Sequence, residues 1–108
     1  MNSGVLKNWK LKLRYGRMKT AFHHFTVLAE GEVVSPNKDF GTGLGPSFFG
    51  MKVWASDSDE AIDMVRAIGQ HLGFASTGRI YVYDTDPTEP PGTEPHGYEL
   101  KFTPYERD

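Results

Sequence analysis

The chain has 108 residues, enough for one domain with one core and too few for two. It has no cysteine, which excludes disulfide staples, thiolate zinc sites, iron–sulfur clusters and cysteine nucleophiles. The formal charge is only −2 but unevenly spread: Lys7, Lys10, Lys12, Arg14, Arg17 and Lys19 give residues 1–29 a charge of +6, and the remainder carries −8.

Residues 1–19 read as a basic segment ahead of a single α+β domain over 20–108. Leu11, Leu13 and Tyr15 alternate with Lys12 and Arg14, the period of a strand, and Met18 is a second candidate start beside Met1. No apolar run approaches the roughly 20 residues of a membrane span. No apolar stretch of about 7–15 residues follows the basic start, as a secretory signal requires. With no cysteine to staple a secreted domain, these features favour the cytoplasm.

Residues 21–29 form a strand-type run in which Phe, Val and Thr suit a pleated surface. Glu30-Gly31 reads as a turn, with 32–34 returning as a short partner strand. The stretch from Pro36 to Pro46 is a glycine-rich loop. A strand follows over 48–55, with Phe49, Met51, Val53 and Ala55 on one face and Phe48, Gly50, Lys52 and Trp54 on the other.

The spacing then predicts a helix. Asp57 is placed to cap it, with Glu60 three residues on. Ala61, Val65, Ile68 and Leu72 recur at four and three, making one apolar stripe. Gly73 suits the position just past its end, and Phe74 the accompanying apolar contact. Gly69 costs about 1 kcal/mol inside the helix relative to Ala, which close approach to the sheet would offset. A strand over 79–84 puts Ile80 and Val82 on one face, Tyr81 and Tyr83 on the other. Residues 84–97 hold four of the seven prolines and several acids, a long stiff loop. A last strand over 98–103 turns Tyr98, Leu100 and Phe102 inward.

The expected fold is therefore a two-layer α+β domain. An antiparallel sheet of four to five strands, in the order β-β-β-α-β-β, carries one helix on one face. One helix shields only one side of a sheet. The reverse side then presents Phe48, Trp54, Tyr81 and Tyr83, with Lys52 and Arg79 as neighbours, and an aromatic face of that size marks an interaction site. A symmetric second copy is the simplest cover. A planar ligand or single-stranded nucleic acid would also stack there. The bland alternative is that the N-terminal segment or the proline-rich loop folds over it.

Other constellations are weaker. Gly41-Thr42-Gly43-Leu44-Gly45-Pro46 resembles a phosphate loop, but Pro46 and a strand follow where a helix N-terminus is needed. His23 and His24 are adjacent on a strand and point to opposite faces. His71 lies near the helix end, where the dipole favours a cation. His96 lies with Asp84, Asp86, Glu89 and Glu94 in a loop too proline-stiff for a calcium-binding pattern. Asp57, Asp59 and Asp63 are better explained by capping and the helix dipole than by acid–base work. No residue is assigned as catalytic or as a metal ligand, and no cofactor is expected.

Gly50-Met51-Lys52-Val53-Trp54-Ala55-Ser56-Asp57, followed by Asp59-Glu60-Ala61 and Gly73-Phe74, resembles the strand-to-helix junction of small uncharacterised bacterial domains. Residues 95–105, Pro-His-Gly-Tyr-Glu-Leu-Lys-Phe-Thr-Pro-Tyr, resemble their ending. The resemblance implies a bacterial cytoplasmic protein and transfers no activity. The expected function is a binding or accessory module, working as a homodimer, that recognises a protein or small ligand. Trp54, Tyr81, Tyr83, Phe48, Lys52, Arg79 and His96 are the residues expected to contact it. The alternatives are a small cofactorless or metal-assisted enzyme, with His23 or His24 and a loop carboxylate as acid and base, and a single-strand nucleic-acid binder using the basic N-terminus. Nucleic acid ranks below protein, and no membrane association is expected.

Overall fold

The computed structural model describes residues 3–14 and 20–106. The domain is α+β: one antiparallel sheet of five strands with a helix across one face. Strand β1 (His23–Val33) lies at its centre, paired with β2 (Gly45–Ala55) along its whole length. The other edge of β1 is shared by the two-residue β3 (Phe74–Ala75) and by β4 (Ile80–Asp84). Strand β5 (His96–Pro104) closes the sheet beside β2. Among the described residues no helix is long and apolar enough to cross a membrane.

The strands distribute differently from the expected order. Glu30-Gly31 is not a turn: β1 runs straight through it, and Gly31 is buried. Its role is close approach. A Cβ there would stand 2.0 Å from the Ala75 carbonyl oxygen, so β3 can lie against β1 only over a glycine. The N-terminal segment is not a strand over its described part either. Helix α1 spans Ser3–Arg14. Trp9 and Leu13, four residues apart, are half-buried, while Lys10, Leu11, Lys12 and Arg14 are exposed. The segment carries a four-residue spacing beside the two-residue alternation, and the strong helix propensity of leucine, lysine and arginine favours the helix. Tyr15 and Met18 lie outside the described residues.

Helix α2 (Ser58–His71) follows its sequence signals. The Asp57 side chain accepts from the Glu60 amide at 2.8 Å, and the Glu60 carboxylate accepts from the Ser56 amide at 2.7 Å. Two amides at the helix start are thereby satisfied. Ala61, Val65 and Gly69 are buried against the sheet. Gly69 lets the helix settle on Phe49 and Phe74, whose ring carbons would lie 3.1–3.2 Å from a Cβ placed there.

The core fills the space between α2 and the sheet. Phe25, Val27, Ala29, Met51 and Val53 line it, with Ile80, Val82 and Leu100 packed at its margin. Phe49 stacks on Phe102 at 4.6 Å, and Phe74 stands 5.7 Å from Phe49. Burying each ring stabilises the fold by about 1.5–3 kcal/mol. Part of the aromatic content is thus used on the helix side.

One expected core residue lies elsewhere. Tyr98 pairs with Lys52 and Lys101 with Gly50, so Glu99 and Leu100 together oppose Met51. This is a β-bulge, and Glu99 adopts φ 52° to make it. The extra residue breaks the alternation. Leu100 and Phe102 stay inward, and Tyr98 turns to the reverse face.

Candidate functional site

The reverse face of the sheet divides into a covered half and an open half. Buried and half-buried positions alternate along most of β1 and β2, but His24 and Trp54 break the alternation by being buried on the reverse side. What covers them is the proline-rich loop between β4 and β5.

Side chains from three strands hold that loop. The Trp54 indole N–H donates to the Glu89 carbonyl at 2.9 Å. The Tyr98 hydroxyl accepts from the Thr88 and Glu89 amides, at 3.0 and 3.3 Å. Its own proton then goes to His24 Nε2, 2.6 Å away. His24 Nδ1 lies 2.8 Å from the Thr85 carbonyl, an acceptor, so Nδ1 carries the hydrogen and donates it. The partners thereby assign His24 as the neutral Nδ1–H tautomer. Burial pushes its pKa below the ordinary value. The bond to the Thr85 carbonyl opposes that shift, and the nearby Lys52 charge adds to it. The Thr26 and Thr85 hydroxyls meet at 2.8 Å. At the outer rim, Lys52 pairs with Glu99 and donates to the Thr88 hydroxyl. The Lys52 bond holds the exposed Glu99 carboxyl below the usual carboxylate range, with help from Thr88.

Trp54, expected on an open surface, is therefore 2% exposed and lies beneath the chain's own loop. A large ring flanked by a polar strand edge is costly to leave wet, and its N–H needs an acceptor when buried. The loop supplies both. His96 sits across from Trp54 at the margin of this half, 6.0 Å from the Tyr98 ring. Lys52 is half-buried and engaged by Glu99.

The open half is built from β4, β1 and β2 in that order. The Tyr81 and Tyr83 rings lie nearly parallel, 6.5 Å apart with 10° between planes. Tyr81 is half-buried and donates its hydroxyl to Glu30 at 2.9 Å, whereas Tyr83 is 50% exposed. Leu28 lies beside Tyr81, and Gly50 beside Leu28. Leu28 Cδ1 would lie 3.4 Å from a Cβ at Gly50, so the leucine side chain rests over the glycine at van der Waals distance. Phe48 is half-buried against Tyr105, their rings 4.7 Å apart. Arg79 and Lys101 are exposed at either side.

Of the seven expected contact residues, Tyr81, Tyr83, Phe48 and Arg79 are thus gathered on the open half, while Trp54, Lys52 and His96 belong to the covered half. Sequence reasoning missed Leu28, Tyr105 and Tyr98 as site residues, and named His24 only as an alternative acid or base. Leu28 was legible, since it alternates with the core residues Val27 and Ala29. Tyr98 was hidden by the bulge.

The glycine loop is a structured turn. The Asn37 side chain accepts from the Asp39 amide at 3.0 Å and reaches the Leu72 carbonyl, so the loop is tied to the end of α2. Beside it a hollow of about 60 Å³ lies between Phe40, Gly43 and Phe102, room for about two waters. Among the described residues no three histidine or carboxylate side chains gather where they could hold a metal ion. No family model, curated protein or solved structure matches the chain.

Proposed function

We propose that this chain is a binding or accessory module, working as a homodimer, that recognises a protein surface or a planar small ligand through the open half of its sheet. The observation that carries this reading is the parallel pair Tyr81 and Tyr83, the second half-exposed, beside Leu28 with no described segment over them. Two tyrosines mounted on a strand offer large, stiff, amphipathic area that loses little entropy on contact. Arg79 and Lys101 supply a polar rim, as binding patches require.

The two alternatives fit less well. A catalytic role for His24 needs access to its imidazole, which the loop closes. His23 is exposed, and among the described residues its ring neighbour is Phe25, at 6.5 Å. A nucleic-acid platform needs several free cations close around the rings, and Arg79 and Lys101 stand apart at the two sides of the face. Between them an acid, Glu30, holds the Tyr81 hydroxyl, and Lys52 is engaged by Glu99.

The test is shift mapping by nuclear magnetic resonance with a panel of planar aromatic fragments. Perturbed amides are expected to cluster at Leu28, Gly50, Tyr81 and Tyr83, and Tyr83→Ala is expected to abolish them without unfolding the chain. Perturbations gathered at the glycine loop instead, or none across the panel, would overturn the reading.

A further inference from the structure

The sheet has two edges, and they are not alike. A bare edge strand offers unpaired N–H and C=O groups to any other strand, and soluble proteins guard against this with bulges, lysine and proline. Strand β5 carries all three: the bulge at Glu99, Lys101 and Pro104. Strand β4, Ile80-Tyr81-Val82-Tyr83-Asp84, has none of them.

The ladder shows which of its groups face outward. The Glu30 amide donates to the Arg79 carbonyl at 2.8 Å, and the Thr85 amide to the His24 carbonyl at 3.4 Å. Hydrogen-bonded and non-bonded pairs alternate in an antiparallel ladder. The N–H and C=O groups of Ile80, Val82 and Asp84 therefore point away from β1. Charge adds a direction. The strand is preceded by the exposed Arg79 and ends on the exposed Asp84, with exposed Asp86 two residues beyond. Among the described residues none of these three enters a salt bridge within the chain.

From this we infer that two copies of the chain join edge to edge along β4, antiparallel, with Val82 facing its own counterpart across the two-fold axis. Only this register centres the five-residue strand on itself. It matches the outward groups of Ile80 and Val82 with those of Asp84 and Val82 of the second copy. It sets the basic end of each strand beside the acidic end of the other. It also brings Tyr81 opposite the second copy's Tyr83 on the reverse face. Each copy thus contributes rings to one continuous four-tyrosine platform, and the binding strip is complete only in the dimer. This inference rests on the strip reading for its function, but not for its geometry. A five-residue edge is short for a stable interface, so the association is expected to be weak.

The test is sedimentation of the full chain from about 10 µM to about 1 mM, with two charge variants. Wild type is expected to dimerise over this range. Residues 79 and 84 project from opposite faces but lie at adjoining ends of the paired strands, so Arg79→Glu and Asp84→Arg alone are each expected to weaken association several-fold, by gathering like charges at each end. Mixed one to one, they are expected to restore it, because each end then meets its opposite. Amide exchange at Ile80, Val82 and Asp84 of the wild type is expected to slow as concentration rises, which decides the matter even if a variant fails to fold. A wild type that stays monomeric at the top concentration overturns the inference. So does a dimer indifferent to both variants with those amides unprotected, an outcome that leaves the strip reading standing. Fragment mapping that fails in a protein that does dimerise through β4 would overturn the strip reading alone.

Discussion

Replacing Tyr98 by Phe keeps the ring and removes one oxygen that makes three hydrogen bonds. No cavity opens beyond the hydroxyl, so the cost is that of the partners left behind. His24 Nε2 loses its donor while buried, about 1–3 kcal/mol. The Thr88 and Glu89 amides belong to exposed residues and can turn to water, so about 0.5 kcal/mol each is reasonable. The sum is about 2–4 kcal/mol. In a domain of this size that lowers the melting temperature by about 10–20 °C. Urea and thermal unfolding, followed by tryptophan fluorescence, measure the loss. Amide exchange at Thr88 and Glu89 is expected to quicken more than exchange in the core of β1, because the loop loses its central anchor. A loss below about 0.5 kcal/mol with unchanged exchange would refute the idea that this hydroxyl fastens the loop.

Gly31→Ala is expected to cost more than about 3 kcal/mol, since the new methyl would meet the Ala75 carbonyl and β3 must detach. Denaturation showing a change under about 1 kcal/mol would mean that β3 is not pressed on β1. His24 is neutral in the folded state with its pKa lowered, chiefly by burial. The unfolded chain takes up a proton there near pH 6.5, before the folded chain does. The stability that His24 contributes is thus complete above about pH 6.5 and is lost as pH falls through its depressed folded value. Urea midpoints at about pH 7.5 and 5.5 are expected to differ less in His24→Gln than in the wild type, and equal differences would refute this assignment.

Much of the helix side of the fold is written locally. The Asp57 cap, the stripe Ala61-Val65-Ile68-Leu72 and the alternation through Phe49, Met51 and Val53 each depend on neighbours a few residues away. Those neighbours are visible in the chain. The mistaken turn at Gly31 shows the limit of that logic. Glycine there permits a contact with Ala75, 44 residues on, and nothing beside it in sequence distinguishes that use from a turn. The N-terminal segment offered both a two-residue and a four-residue period, and periodicity alone does not choose between them.

The site was legible in part. Tyr81 and Tyr83 had to share a face opposite Ile80 and Val82, because side chains in a strand alternate. Which end of that face stays open is a different kind of fact. It depends on where the proline-rich loop comes down, and that is set by Trp54, His24 and Tyr98 from three strands. Tyr98 reaches the group only because a bulge at Glu99 shifts the count by one. Alternation and capping act over a few residues, so sequence alone determined the helix, the core face and the tyrosine pair. The burial of Trp54, the tautomer of His24 and the place of β4 at the sheet's edge among the described residues come from groups that meet only once the sheet is assembled, and the tertiary structure decided them.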